Sequence, residues 1–172
     1  MAHWLLRLCR HRLFDEGDIR RALPPEALRR IEARVAASEA RHSGQIRVCV
    51  EAGLPFGYLR RLATARDRAV AMFGKLCVWD TDDNDGVLIY MLLAEKAVEF
   101  VADRGLNARV DAAAWSQIAS DVTAVFRGGD FEAGLNRAID AVDALLVRHF
   151  PRRTGEDGGL DENELSDAPD LR

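Results

Sequence analysis

The sequence predicts an α/β protein, helices layered on a small mixed sheet, and three observations carry that expectation. Residues 44–51, GQIRVCVE, alternate Ile46, Val48 and Val50 with Arg47, Cys49 and Glu51, which is strand periodicity. Residues 86–94, GVLIYMLLA, are apolar without interruption, as in a strand covered on both faces. On either side, apolar residues recur at helical spacing. The 172 residues suffice for one substantial core, and 48% hydrophobic with 30% charged residues suits a globular chain.

The opening MAHWLLRLCRHRLF places Arg7, Arg10 and Arg12 inside an apolar stretch. These charges interrupt it and no small-residue cleavage pattern follows, so a secretory signal is not expected. Residues 1–19 are read as a basic amphipathic helix that docks Trp4, Leu5 and Leu8 on the body. Membrane-surface contact through this helix is the less favoured alternative. Pro24-Pro25 then opens a helix with Leu28, Ile31 and Val35 on one side and Gly44 as its stop. After the first strand, residues 58–73 predict one helix with Leu59, Leu62, Ala69 and Phe73 toward the core. Its Arg60, Arg61, Arg66 and Arg68 read as a solvated face; Asp67 sits among them and no aromatics interleave, so nucleic acid is not expected.

Next come the acidic loop and the apolar strand. AVEFVAD follows after Glu95-Lys96, close enough to be the hairpin partner of that strand. Trp115, Ile118, Val122, Val125 and Phe126 then stripe one helix. Phe131, Leu135, Ile139, Val142, Leu146 and Phe150 stripe a second, beyond the breaker RGGD. Trp79 and Trp115 are expected in the core, with a place on the rim of the cleft as the alternative for either. Residues 154–172 hold seven acids and one basic residue, −6 of the net −4, which leaves the rest of the chain at +2. No global field therefore favours nucleic acid, and residues 151–172 are expected to form an acidic disordered tail. Cys9, Cys49 and Cys77 are odd in number and lack CxxC spacing, which suits a reducing cytoplasm. The apolar run is less than half the length of a membrane span, so a cytoplasmic location is expected.

Residues 78–86, VWDTDDNDG, crowd Asp80, Asp82, Asp83, Asn84 and Asp85 ahead of the apolar strand. A right-handed crossover makes the first two strands parallel, so both begin at one end of the sheet. The hairpin returns Asp103, Arg104 and Gly105 to that same end. His42-Ser43, residues 80–85 and Asp103-Arg104 should thus converge on one edge. Carboxylates gathered there repel by order 1 kcal/mol per pair, a cost that a divalent cation removes. Ca²⁺ suits irregular oxygen ligands better than Mg²⁺. The EF-hand register fails, because Asp80 as first ligand puts Asp85 at the glycine position and Met91 at the glutamate position. A frame that fits Gly86 starts on Thr81 and ends on Leu92. The plain alternative is a solvated Asn-Asp-Gly turn.

Together, SEARHSGQIRVCVEAGL, WDTDDNDGVLIYMLLAEKAVEFVADRGL, FRGGDFEAGLNRAID and NELSDAP resemble the TPM domain family. The resemblance covers residues 20–150 and is closest to the short cytoplasmic bacterial members. It implies a three-layer α/β/α sandwich. Some members serve in the thylakoid lumen in photosystem II repair, a role that does not transfer without an export signal. Others are described as acid phosphatases or bind calcium in an acidic cleft. Carried to this chain, the metal candidates are Asp82, Asp83, Asn84, Asp85 and Asp103, with Arg104 beside them.

The expected function is a divalent-cation (calcium) binding or regulatory module, with a protein partner as a further expectation. One alternative is a metal-dependent acid phosphatase acting on phosphomonoesters. There Asp83 or Asp85 would hold the metal or attack, Arg104 would clamp phosphate and His42 would act as acid. His42 near a helix end and Arg104 beside a loop aspartate also have purely structural explanations. No Walker A loop, nucleophile elbow, CxxxxxR loop or HExxH occurs. The third reading is a structural interaction domain without metal.

Overall fold

The computed structural model of the protein describes residues 2–152 and 164–172. Its sheet contains β1 (Ile46–Glu51), β2 (Val87–Leu92), β3 (Ala97–Ala102) and β4 (Asp170–Leu171), in the order β3-β2-β1-β4. β1 and β2 pair in parallel from Ile46↔Val87 to Glu51↔Leu92. β3 returns antiparallel from Leu92↔Ala97 to Val87↔Ala102, the expected hairpin. Its turn is a single helical turn over Leu93–Glu95, closed by Lys96 in the left-handed region at φ 48°.

Strand periodicity builds the layers. Ile46, Val48, Val50, Ile89, Met91, Val98 and Phe100 point to one face, and Cys49, Leu88, Tyr90, Leu92 and Val101 to the other. The first face is covered by α2 (Glu16–Ala22), α3 (Pro25–Glu39), α7 (Ala112–Arg127) and α8 (Phe131–His149), through Ile19, Ile31, Val35, Val122, Phe126, Leu135, Ile139 and Val142. The second is covered by α4 (Phe56–Arg60) and α5 (Ala65–Lys75), through Leu59, Ala69 and Met72, with Leu8 of α1 (Ala2–Leu13) against them. Each fully buried aliphatic side chain contributes roughly 1.5–3 kcal/mol. The result is a three-layer α/β/α sandwich with an open mixed sheet, as expected. The short α6 (Arg104–Asn107) follows β3.

The structure corrects several expectations. Residues 164–172, expected in a disordered tail, are built into the fold; the rest of that expectation falls on residues 153–163, outside the described residues. β4 runs parallel to β1, with Arg172 N–H donating to the Val50 carbonyl and Ala52 N–H to the Arg172 carbonyl, both at 2.9 Å. Arg47 also donates to the Ser166 and Ala168 carbonyls. Backbone pairing along an open strand edge needs little apolar surface, which is why composition missed it.

The helix expected over residues 58–73 is two helices. Leu62 sits in the left-handed region at φ 56°, and Thr64 with Asp67 forms a reciprocal capping box that starts α5. Its arginines are not one solvated face: Arg68 pairs with buried Glu51, and Arg66 donates to the Phe100 carbonyl. The helix expected over residues 1–19 also divides, at Asp15, whose side chain caps α2. Trp4 and Leu8 dock as expected, whereas Leu5 is 52% exposed. Trp79 is exposed, while Trp115 stacks on Phe100 with centroids 5.9 Å apart. Among the described residues, no helix is long and apolar enough to cross a membrane.

Candidate functional site

β1 and β2 begin at one edge of the sheet and β3 ends there, so three separate segments are brought together. Asp103 N–H donates to the Gly86 carbonyl at 2.8 Å, and Gly105 N–H to the Asn84 carbonyl at 2.9 Å. A Cβ on Gly86 would lie 2.0 Å from the Val78 carbonyl oxygen, and one on Gly105 2.5 Å from that of Asn84. Only glycine permits backbone to approach backbone this closely, so both residues seat the acidic loop on the sheet. Asn84 turns the loop at φ 54°, a conformation that asparagine tolerates.

Asp85 is 1% exposed; its Oδ2 accepts from Ser43 Oγ at 3.1 Å, and its N–H donates to Thr81 Oγ1 at 3.1 Å. Burial pushes its carboxyl above the ordinary value, the bonds from Ser43 and Thr81 oppose that, and the Asp83 charge adds to it. Arg104 Nε donates to Asn84 Oδ1 at 2.6 Å, and Arg104 N–H to Asp103 Oδ1 at 2.7 Å. The other oxygen, Asp103 Oδ2, is buried and has no hydrogen-bond partner among the described residues. Asp82 and Asp83 are exposed on the loop.

Four further groups belong to this edge, and the sequence reading did not select them. Glu164 Oε2 accepts from Asp82 N–H at 3.1 Å, while Gln45 Oε1 accepts from the N–H groups of Glu164 and Leu165, both at 3.2 Å. Burial raises the Glu164 carboxyl, the Asp82 N–H opposes it, and the charges of Asp82, Asp85 and Asp80 raise it further. Glu39 Oε1 accepts from Ile46 N–H at 2.7 Å. Its carboxyl is nevertheless pushed up to about 8, chiefly by burial, with Asp167 and Asp85 contributing. Glu39, Gln45 and Asp167 line a cavity of about 260 Å³ beside the loop. The sequence signal for these groups was their place in two of the blocks quoted for the resemblance, SEARHSGQIRVCVEAGL with Glu39 and Gln45 and NELSDAP with Glu164 and Asp167. Nothing in its residue type set Glu39 apart, because a glutamate ending an amphipathic helix looks like any solvated one.

The predicted residues therefore divide. Asp82, Asp83, Asn84, Asp85, Asp103 and Arg104 share the edge, joined to Ser43. His42 adjoins Ser43 in the chain and lines the same cavity as Glu39, but it is 1% exposed and its Nε2 faces Ser38 of α3 and Asp143 of α8. Its Nε2 lies 3.0 Å from Ser38 Oγ, which donates to Asp143 Oδ1 at 2.8 Å. Burial, aided by the charges of Arg41 and Arg152, lowers the imidazole to about 4. At neutral pH it is therefore not the imidazolium that a general acid needs. Among the described residues, no group of three or more His, Cys, Asp or Glu side chains is placed to hold a metal ion.

The family profile described as TPM domain matches residues 18–145. The NMR structure of the BA42 protein from the psychrophilic bacterium Bizionia argentinensis is similar, with TM-score 0.73 and 27% identity over 87% of this chain and 95% of that one. The solution NMR structure of the N-terminal domain of a P. gingivalis protein has TM-score 0.55 and 22% identity, over 70% of this chain and 76% of that one. This second likeness shows the fold alone. No curated protein matches.

Proposed function

The chain belongs to the TPM domain family, and we propose that it is a divalent-cation-binding or regulatory module acting through its acidic edge. The observation that carries this is the crowding of carboxylates from separate segments: Asp85 buried, Glu39 pushed up to about 8 by burial with Asp167 and Asp85 adding to it, and Glu164 raised by burial and then by Asp82, Asp85 and Asp80. Burial is the larger cause of these rises, and the part that neighbouring carboxylates add is repulsion that a doubly charged ion would relieve. The donors fit a hard cation, since all are oxygens, and Asp103 Oδ2 is already desolvated with no partner among the described residues. Asp82, Asp83, Asn84, Asp85 and Asp103 would hold the ion, the exposed Asp82 and Asp83 turning inward to complete the set. Ca²⁺ is preferred over Mg²⁺ because this irregular group lacks an octahedral arrangement. Exposed Cys9 and Cys77, both free, suit a cytoplasmic protein.

Calorimetric titration with Ca²⁺ and Mg²⁺ tests the proposal, on wild type, Asp85→Ala and the exposed pair Asp82→Asn/Asp83→Asn. Expected are binding of Ca²⁺ by wild type, a raised melting temperature, and loss of both in the double variant with its fold intact. At one hundred times Kd the stabilisation would be about 2.7 kcal/mol. Wild type without heat or thermal shift in either ion refutes cation binding. Hydrolysis of a generic phosphomonoester, abolished in Asp83→Ala/Asp85→Ala, would instead assign the phosphatase alternative.

A further inference from the structure

α1 has two working faces, and the docked one accounts for only half of the helix. On the inner face Arg7 Nε and His11 Nε2 reach Glu95 Oε1 at 2.7 and 2.9 Å, and Trp4 Nε1 donates to the Leu59 carbonyl at 3.3 Å. His11 Nδ1 accepts from Leu54 N–H at 3.0 Å. These bonds fix which way the helix is rolled.

The outer face is apolar. Leu5, Cys9 and Leu13 follow at intervals of four residues, with Leu6 beside them, so they form one stripe. Leu5, Leu6 and Leu13 are 52%, 67% and 77% exposed. Arg12 flanks the stripe next to Leu5, and Arg10 flanks it next to Leu6; both are exposed and, among the described residues, make no ion pair. Glu95, the acid that α1 meets on its docked face, is already paired with Arg7 and hydrogen-bonded by His11. An apolar stripe between two cationic margins is the pattern of a helix lying in the plane of a membrane interface. Two copies meeting through this face would set arginines against arginines, which disfavours self-association.

The fold orients this face. α1 docks where β1 and β2 end, at Leu54 and Glu95, and the acidic edge lies where the same strands begin. Contact through α1 would hold the carboxylates at the pole remote from an anionic surface, whereas the reverse orientation would be repelled. We infer that the outer face of α1 docks on an anionic lipid bilayer, with Leu5, Leu6 and Leu13 entering the headgroup boundary and Arg10 and Arg12 meeting lipid phosphates.

Vesicle flotation with the full chain tests this, comparing phosphatidylglycerol-containing with pure phosphatidylcholine vesicles, with parallel light scattering in the absence of lipid. Wild type is expected to float only with the anionic vesicles and to be released as salt rises. Leu6→Ser/Leu13→Ser and Arg10→Glu/Arg12→Glu should each weaken binding by roughly tenfold or more. Arg137→Glu, a charge reversal on α8, should leave it unchanged. Because the altered positions are exposed, melting curves should match wild type. Wild type that fails to float at low salt overturns the inference, as does a leucine variant that floats like wild type. A concentration-dependent dimer abolished by Leu6→Ser/Leu13→Ser overturns it in favour of a protein partner.

Discussion

Glu51 is 2% exposed at the end of β1, and an isolated charge there would be untenable. Arg68 donates to both its carboxylate oxygens, and Tyr90, fully buried, donates its hydroxyl to Glu51 Oε2 at 2.5 Å. The Arg68 guanidinium in turn lies 4.9 Å above the Tyr58 ring. Arg68→Ala would leave the carboxylate buried without its cation and should cost about 3–5 kcal/mol, whereas Tyr90→Phe removes one bond to a charged group and should cost about 1.5–3 kcal/mol. Urea unfolding of the two variants checks the ranking; equal costs would mean that the guanidinium contributes no more than the single tyrosine bond. Glu39 makes a second residue-scale test. Its carboxyl titrates near 8 in the folded chain against an ordinary 4.5, so between these values the folded state keeps a proton that the unfolded state has lost. Its contribution is therefore complete below pH 4.5 and is lost as pH rises through 8. Glu39→Gln keeps an acceptor for Ile46 N–H but cannot titrate. Its advantage over wild type should grow between pH 5 and pH 8, by on the order of 3 kcal/mol. His42 has the opposite slope, because a value lowered to about 4 erodes stability as pH falls from 6.5. It is common to both proteins and cancels from the difference. A pH-independent difference would show that Glu39 is ionised throughout.

Elements were legible in proportion to how much apolar surface they bury. β1, β2 and β3 declared themselves because each carries a face, or two faces, of core residues, and α3, α7 and α8 through apolar stripes. The break between α4 and α5 was missed because Leu59, Leu62, Ala69 and Phe73 fit one helix, while Asp67, the partner of Thr64 in the cap, reads as one more charge among the arginines. β4 offered no comparable signal: two residues, Leu171 41% exposed, held by backbone bonds to Val50 and Ala52. Its anchors are Arg47 on the Ser166 and Ala168 carbonyls and Gln45 on the backbone of Glu164 and Leu165. Ending the chain at Asn163 should therefore cost about 3–6 kcal/mol, at roughly 0.5–1 kcal/mol net for each of these six bonds. Thermal unfolding of the shortened chain measures it. An unchanged melting temperature would mean that this segment rests on the domain without stabilising it.

At the scale of the molecule, connectivity decides what composition cannot. The position of the acidic edge followed from chain order alone, since parallel β1 and β2 with antiparallel β3 must bring Ser43, Asp85 and Asp103 to one end. The roles of Glu39, Gln45 and Glu164 were not legible, because they depend on where a helix end and a distant C-terminal segment happen to meet. The same connectivity binds the two helical layers into one unit. Val48 and Cys49 are adjacent in the chain yet feed opposite cores, and β2 and β3 divide their residues in the same way. Neither layer can lose its sheet without exposing the other's. Met72 on α5 and Leu146 on α8 are both fully buried, one in each core. Met72→Ala and Leu146→Ala should each cost about 2–5 kcal/mol and move a single transition, with far-ultraviolet circular dichroism and tryptophan fluorescence giving the same midpoint. Two midpoints, or a variant that shifts one signal and leaves the other in place, would mean that the layers melt independently and that the shared sheet does not couple them.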